Sequence, residues 1–273
     1  ALDVFAVEPP VNKQLQTFEN VIATPHIAAS TREAQENVGL ETVATLRDFL
    51  RDGIIRNAIN SPSVSAEEFS RLQPFIPLAE RLGSFLAQMT SARIEAVGIR
   101  YYGNLTDTKT DLIGNAVLVG LFKPILSTIS SVNARAVAEN RGIEIIESQS
   151  SRQRNFTRLL SVKLHTSEGE RWVEGALFDM SVPRLVLING AAVEAPLDGA
   201  MIVLSNLDQP GVIGDVGTIL GKHGVNIATF ALGRSKDQAV GVVNIDEGQT
   251  PSEEAISEIQ NLAAVKEVRL VRV

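Results

Sequence analysis

The sequence predicts a multidomain α+β protein. Three observations lead to this class. The chain has 273 residues, which is longer than one typical domain, and 44% of them are apolar. Amphipathic helix patterns and alternating strand patterns occur in separate runs. The last segment follows the order β-α-β-β-α-β, which is an antiparallel sheet with helices on one face. We expect three domains, at residues 1–58, 59–196 and 197–273.

The composition narrows the possible partners. The formal charge is −7 and the pI is about 5.1, which argues against nucleic acid or an anionic membrane as a partner. The longest apolar run, Leu112–Leu126, is shorter than the roughly 20 residues that span a bilayer. The absence of cysteine excludes disulfides and thiolate sites, and no metal site is predicted. A cytoplasmic location is expected, with an organelle reached through a removed leader as the alternative.

The first predicted domain contains one long helix. Ala1–Phe5 predicts a strand, and because no initiator methionine or leader precedes it, we expect further residues upstream. A helix pattern covers Ser30–Arg51, with Ser30 as its cap and Glu33 completing a capping box. The turn residues from Asn60 to Ser63 predict a domain boundary.

The middle domain mixes helices and strands. Ser65 and Glu68 form a second capping box ahead of a helix with apolar residues at intervals of three and four. Asn189-Gly190 between two apolar runs is the strongest signal for a two-residue hairpin. Further elements are predicted as helices at Leu112–Ser127 and Asn133–Asn140 and strands at Val97–Tyr101 and Leu160–His165.

The C-terminal domain is predicted to be ferredoxin-like, with two helices on one face of a four-stranded sheet. Its elements are expected as strand Ala200–Ser205, helix Val212–His223, strands Val225–Leu232 and Ala239–Asp246, helix Ser252–Leu262 and strand Lys266–Val273.

Two motifs near the start carry chemistry. They are Leu2-Asp3-Val4-Phe5-Ala6-Val7-Glu8-Pro9-Pro10 and the segment from Asn20 to Thr31 that contains Thr24-Pro25-His26. Together they resemble the end of the catalytic unit of NAD-dependent D-2-hydroxyacid dehydrogenases. The resemblance implies that His26 is the catalytic acid/base and Glu8 its partner. A neighbouring carboxylate raises an imidazole pKa and fixes its tautomer, as proton transfer requires. The alternative is a loop histidine beside the helix that begins near Thr31.

The resemblance covers only part of a dehydrogenase site. The chain has no G-x-G-x-x-G loop for a dinucleotide, since Gly211, Gly214 and Gly217 follow a different spacing. The R-G motif that carries the substrate-binding arginine in this family is also missing. NAD is therefore expected as the cofactor of a longer protein, and this chain alone is expected to be inactive.

A second resemblance lies in the C-terminal domain. The segment Asn206-Leu207-Asp208-Gln209-Pro210-Gly211-Val212-Ile213-Gly214, followed by Gly224-Val225-Asn226-Ile227, is similar to the signature of amino-acid-binding ACT domains. Free N–H groups at the helix start could bind a carboxylate, and Asp208 could bind an ammonium group. Otherwise, Asp208 only caps the helix and Asn226 only starts a strand. The predicted effector site comprises Asn206, Asp208, Pro210, Gly211, Val212, Ile213, Gly214, Asn226 and Ile227.

The combination of the two signatures, with an intervening α+β domain, resembles the long-form phosphoglycerate dehydrogenase family. This implies oxidation of 3-phosphoglycerate to 3-phosphohydroxypyruvate in serine biosynthesis, with L-serine as effector. Because one ACT unit offers a shallow surface, we expect a homo-oligomer paired through the ACT and intervening domains. A free-standing amino-acid sensor and a reductase of another 2-hydroxy acid are the alternatives.

The remaining charged candidates lie in the middle domain. The polar segment from Ser148 to Arg158 predicts an anion site, because arginines bind phosphate through paired donors. The alternative is a solvated loop. The two remaining histidines, His165 in the middle domain and His223 in the C-terminal domain, are interpreted as structural. The predicted anion site comprises Arg152, Arg154, Arg158 and Arg184.

Overall fold

The computed structural model describes residues 1–11, 13–56, 58, 64–105, 110–152, 154–235 and 238–273. The chain forms two compact units, Ala1–Ala58 and Ile59–Val273. The predicted boundary at Asn60–Ser63 lies outside the described residues. Within the described residues, no helix is both long and apolar enough to cross a bilayer.

The first unit consists of loops, two short 3-10 helices at Gln14–Thr17 and Ala28–Ser30, and one long helix, α1, at Arg32–Asp52. The strand predicted at Ala1–Phe5 is wrong, because only Leu2 pairs, in a single bridge to Ala23. Ser30 is not the helix cap either. Thr31 has the extended backbone of a cap, and its hydroxyl accepts a hydrogen bond from the Ala34 N–H.

The first unit buries no apolar side chain among its described residues. One face of α1 packs near the loops and holds the buried Asp48, which pairs with Arg47 and Arg56. The opposite face is apolar and open. Its exposed side chains are Val38, Leu40, Val43, Leu46, Phe49 and Leu50. An uncovered apolar face of this size indicates a surface that another part of a protein covers.

The second unit contains six α-helices and a short 3-10 helix at Gly103–Leu105 within its described residues. The Ser65–Glu68 capping box is confirmed by reciprocal hydrogen bonds. The helix predicted at Leu112–Ser127 ends early, at Phe122, because Pro124 cannot continue the helical hydrogen bonds. The helices are α2 Ala66–Leu72, α3 Phe75–Gln88, α4 Asp111–Phe122, α5 Ala134–Asn140, α6 Val212–Lys222 and α7 Glu253–Gln260.

All ten strands of the described residues belong to one sheet, in the order β10-β7-β9-β8-β6-β5-β4-β3-β1-β2. β6 joins β8 through a pairing of Ala192 with Arg234, so the predicted second and third domains share a sheet. The strands are β1 Ile94–Tyr102, β2 Glu144–Ser150, β3 Leu159–Thr166, β4 Gly169–Phe178, β5 Val182–Ile188, β6 Ala191–Pro196, β7 Ala200–Leu207, β8 Ile227–Ser235, β9 Gln238–Ile245 and β10 Val265–Arg272.

The core of the middle region lies between its helices and one face of the sheet. α3 and α4 approach closely because Gly83 and Gly120 carry no side chain where the two backbones meet. α3 also contacts β4 and β10, so it lies under both parts of the sheet. The hairpin at Asn189-Gly190 is confirmed, with φ angles of 46° and 90°.

The C-terminal region has the predicted βαββαβ order, β7-α6-β8-β9-α7-β10. A second apolar cluster, which includes Leu204, Val216 and Ile259, packs both helices against the sheet. Gly224 follows α6 with φ of 66°, as expected for a residue after a helix end. The α+β fold class is confirmed.

Candidate functional site

The predicted catalytic pair is formed in the first unit. His26 Nδ1 and Glu8 Oε2 lie 2.8 Å apart, and the His26 side chain is 57% exposed. Because a carboxylate only accepts hydrogen bonds, the proton of the pair lies on Nδ1. This leaves the other ring nitrogen, Nε2, to exchange a proton with a substrate.

Asp3 holds the loop that carries His26, a role that the sequence did not reveal. Its carboxylate accepts hydrogen bonds from the Thr24 hydroxyl and from the N–H groups of Ile27 and Ala28. The Asp3 carbonyl accepts another from the His26 N–H at 2.9 Å. His26 adopts φ of 55°, a conformation that is uncommon for a side-chain-bearing residue. Asp3 stands five residues before Glu8 in the same motif, which is the only sequence signal for it.

The charges of this cluster favour a protonated imidazole. The hydrogen bond that His26 donates to Glu8, and then the negative charge of Glu8, raise the pKa of His26 above its ordinary value. The Phe5 N–H, and then His26, lower the pKa of Glu8. The Thr24 hydroxyl, followed by the N–H groups of Ala28 and Ile27, lowers the pKa of Asp3. Both carboxylates therefore stay ionised where the imidazole titrates.

A concavity of about 720 Å³ adjoins the pair. Phe5, Pro9 and Pro25 give it apolar walls, and Glu8 and His26 supply the polar groups. An apolar hollow with few convergent polar groups is the usual form of a small-molecule site. The arrangement can hold a small substrate against a proton donor or acceptor.

The structure places the predicted effector segment between β7 and α6. Gly211 has φ of 100° and precedes the helix, so the first N–H groups of α6 lack helical partners. Asn206 is 2% exposed. Its Nδ2 donates to the Leu207 carbonyl, while its Oδ1 is buried without a partner in the described residues. Pro210, Val212, Ile213 and Gly214 complete the turn and the helix start.

Asp208 does not stand free at this site. Its Oδ2 lies 3.1 Å from Nε of Arg234 in β8, a partner that the sequence did not predict. The pair brings a cation and an anion together beside the start of α6. A zwitterionic ligand offers the complementary pair of charges.

Asn226 and Ile227 lie away from Asp208 in the same chain. β7 and β8 are parallel, with β9 between them, so the end of β7 lies beside Ser235 and not beside Ile227. Eight strand residues separate the two positions, roughly 26 Å at 3.3 Å per residue. Asn226 instead bonds to Asp246 and Gln249. An effector site that contains both residues therefore needs Asp208 from one copy and Asn226 from another, and the site stays a prediction.

The four arginines of the predicted anion site are partly engaged. Arg154 pairs with the buried Glu174 and lies over the Tyr102 ring. Arg184 is 3.9 Å from Glu194 and lies over Phe178. The structure shows no carboxylate partner for Arg152 or Arg158 among the described residues. The segment predicted as a loop from Ser148 begins inside β2, which ends at Ser150. The anion site stays a prediction.

The other two histidines bond to carboxylates. His165 lies 3.3 Å from Glu170 on the sheet surface. His223, at the end of α6, lies 3.2 Å from Glu258 of α7. The contact between the helices is consistent with the structural interpretation of His223.

The fold and the site together combine an imidazole-carboxylate pair in the first unit with a C-terminal βαββαβ region. Family models match the D-3-phosphoglycerate dehydrogenase intervening domain at residues 71–189 and the ACT domain at residues 200–263. The chain belongs to the D-3-phosphoglycerate dehydrogenase family, and it matches the C-terminal halves of its members.

The sequences of individual relatives align with nearly the whole chain. The chain is 34% identical to D-3-phosphoglycerate dehydrogenase of Methanocaldococcus jannaschii, over 99% of this chain and 52% of the relative. The enzyme of Bacillus subtilis gives the same three values. The enzyme of Archaeoglobus fulgidus is 36% identical over 97% of this chain and 51% of the relative. The chain thus spans about half the length of the curated relatives it matches.

Proposed function

We propose that this chain is the C-terminal half of an NAD-dependent dehydrogenase that oxidises 3-phosphoglycerate to 3-phosphohydroxypyruvate in serine biosynthesis, with L-serine as feedback effector. One observation carries the proposal: His26 and Glu8 form a 2.8 Å pair in a chain that matches phosphoglycerate dehydrogenases along 99% of its length. NADH formation from 3-phosphoglycerate by the full-length protein tests it.

His26 acts as the base in this direction. The substrate hydroxyl loses its proton to Nε2 while a hydride leaves the adjacent carbon, and Glu8 stabilises the imidazolium that results. In the reverse direction the imidazolium returns the proton to the carbonyl oxygen. Glu8 raises the pKa of His26, which strengthens the imidazole as the acceptor of the substrate proton.

NAD supplies the hydride acceptor when bound. The apolar walls at Phe5, Pro9 and Pro25 fit the reacting end of a nicotinamide and a small hydroxy acid. The sequence contains no glycine loop for the pyrophosphate. We assign the rest of the cofactor site, and the arginine for the substrate carboxylate, to the half of the relatives' length that this chain does not span.

The open apolar face of α1 supports the proposal that this chain is part of a longer dehydrogenase. Side chains such as Leu46 and Leu50 are 55% and 81% exposed, and exposure of that kind costs stability unless a surface covers it. The remaining part of a dehydrogenase unit supplies such a surface. A free-standing amino-acid sensor is less favoured, because the match to the relatives includes the segment with His26 and Glu8. The cysteine-free composition fits a reducing compartment such as the cytoplasm.

The effector site recognises L-serine through opposite charges. The ligand carboxylate binds the N–H groups at the start of α6, and Asp208 accepts from the ligand ammonium group in place of Arg234. Asn206 Oδ1, which is buried and unpaired in the described residues, is a further acceptor beside the turn. Since Asn226 lies at the other end of the sheet, it reaches the ligand only from a second copy. We therefore propose that two ACT domains share the effector.

Asp208→Ala is expected to weaken serine binding by roughly tenfold or more, the effect of losing one charge-assisted hydrogen bond. Calorimetry on the 273-residue chain measures the affinity. In the full-length enzyme the same change should relieve serine inhibition, because an effector changes the distant site only while it is bound. Turnover without serine should stay near normal.

Glu254→Ala is the matched control, since it removes an exposed carboxylate from the first turn of α7 and should leave binding unchanged. Asn226→Ala should also weaken binding. If two copies share the ligand, mixing the Asp208 and Asn226 variants should restore some high-affinity sites. In a mixed dimer, one of the two sites has an intact Asp208 from one copy and an intact Asn226 from the other. Serine binding that persists in Asp208→Ala would show that the effector lies elsewhere.

A further inference from the structure

β10 forms one of the two edges of the ten-stranded sheet. On an edge strand, alternate residues direct their N–H and C=O groups away from the neighbouring strand. The Val273 N–H bonds to the Gly199 carbonyl on the β7 side. The backbone groups of Arg272, Leu270 and Val268 therefore point outward. A row of outward groups is a template on which another extended chain can pair.

Gln88 of α3 covers the C-terminal end of this edge. Its Oε1 accepts a hydrogen bond from the Arg272 N–H at 3.0 Å, and its Nε2 donates to the Arg272 carbonyl at 2.8 Å. The side-chain amide thus pairs with Arg272 as a peptide group of a further strand would. Nε2 also donates to the Ser84 carbonyl at 3.0 Å. This second contact, one turn earlier in α3, holds the amide in its orientation.

Gln260 of α7 covers the middle of the same edge. Its Oε1 accepts from the Val268 N–H at 3.0 Å, and its Nε2 lies 3.4 Å from the Lys266 carbonyl oxygen. Between the two glutamines, only the Val268 carbonyl and the backbone groups of Leu270 have no hydrogen-bond partner in the described part of the chain. That stretch is too short to hold another strand.

The sequence of β10 is complementary to itself in one antiparallel register. Arg269 Nε lies 3.1 Å from Glu267 Oε1 within one chain, so both side chains lie on one face of the sheet. When Val268 of one copy lies opposite Val268 of another, Glu267 of each copy lies opposite Arg269 of the other. Two opposite-charge pairs then form across the edge, a combination that stabilises antiparallel neighbours. This pattern favours a second copy related by a two-fold axis.

We propose that the outer edge of β10 is a self-pairing surface for a second copy of this chain, and that Gln88 and Gln260 keep it closed. In the register above, Val268 exchanges backbone hydrogen bonds with its counterpart, and Lys266 lies opposite Leu270. Gln260 occupies groups of Val268 and Lys266 that this pairing needs. The closure leaves the copies to assemble through other surfaces. The proposal is independent of the dehydrogenase and effector assignments.

The double variant Gln88→Ala with Gln260→Ala should open the edge. Alanine favours a helix, so α3 and α7 should be kept. In sedimentation velocity at equal concentration, the 273-residue double variant should form assemblies of at least about twice the mass of those that the unmodified chain forms, because each copy gains a two-fold contact. Gln260→Ala alone, which opens only the centre of the register, should shift the mass in the same direction.

A dye-labelled peptide with the sequence of Val265–Arg272 tests the register directly. In fluorescence anisotropy it should bind the double variant at least about tenfold more tightly than the unmodified chain, because no side-chain hydrogen bonds have to be displaced first. A peptide in which the residues at positions 267 and 269 are exchanged should bind more weakly, since like charges then lie opposite each other.

Gln149→Ala is the matched control, because Gln149 is an exposed glutamine of the other edge strand, β2. It should change neither the assembly mass nor the affinity for the peptide. Circular dichroism and the melting temperature check that each variant is folded, and Gln260→Ala carries the test if the double variant unfolds.

Two results would overturn the proposal. The first is an assembly mass and a peptide affinity that are the same in the folded opened variants as in the unmodified chain; the glutamines would then only fix α3 and α7 on the sheet. The second is tighter binding of the charge-exchanged peptide, which would exclude the register that pairs Glu267 with Arg269.

Discussion

In the full-length protein, His26→Ala should lower kcat by roughly 100-fold or more, the contribution expected of a general acid/base. The affinity for NAD should stay nearly unchanged, because the imidazole exchanges a proton with the substrate and does not hold the dinucleotide. Steady-state rates in both directions, with NAD binding measured separately, test this. An unchanged kcat would remove His26 from the proton-transfer role.

Glu8→Gln is the graded companion of that variant. The glutamine still fills the space, but the hydrogen bond and negative charge that raise the pKa of His26 are weakened. The pKa of His26 should then fall. Oxidation of the substrate needs the neutral imidazole, so the acid limb of the pH profile for the oxidation rate should move to lower pH. Reduction needs the protonated imidazole, so its activity at neutral pH should decline. A pH profile that does not move would mean that the 2.8 Å pair does not tune the imidazole.

Gly120→Ala should destabilise the second unit by about 3 kcal/mol, at the upper end for overpacked cores. A Cβ at residue 120 would lie 1.8 Å from the Glu80 carbonyl oxygen and 2.9 Å from the Ser84 nitrogen. Both atoms belong to the backbone of α3 and cannot turn aside, so the two helices must separate. The added methyl group is costly because a close-packed interior has few voids that could hold it.

Urea unfolding followed by circular dichroism measures this effect on the 273-residue chain. Gly221→Ala in α6 is the matched control, since no atom lies within 4 Å of a Cβ there and alanine favours a helix. It should be neutral or slightly stabilising. Equal unfolding midpoints for the Gly120 and Gly221 variants would contradict the close approach of α3 and α4.

Local signals in the sequence were sufficient for most elements. Asn189-Gly190 predicts its own hairpin because both positions require positive φ, which the structure shows. Ser65 and Glu68 predict a helix start because their side chains satisfy the first N–H groups. β2 was missed because an edge strand with alternating polar residues gives a weak pattern.

Long-range contacts could not be predicted in the same way. The pairings of Asp208 with Arg234 and of Arg154 with Glu174 join residues at least 20 positions apart, and their partners depend on how strands align. The same reason explains why the sequence does not show that Asn226 and Asp208 lie apart within one chain: the signature gives the residue types but not the strand order that separates them. Glu8 and His26 were predictable because both motifs carry the family resemblance.

The most direct test of the dehydrogenase assignment is NADH formation by the full-length protein when it is supplied with NAD and 3-phosphoglycerate, with D-lactate and D-glycerate in parallel. The 273-residue chain alone serves as the negative control, since its sequence contains no G-x-G-x-x-G motif. We expect NADH from 3-phosphoglycerate at a rate far above that with D-lactate, and none from the shorter chain. Comparable rates with D-lactate, or no NADH from 3-phosphoglycerate, would contradict the assignment.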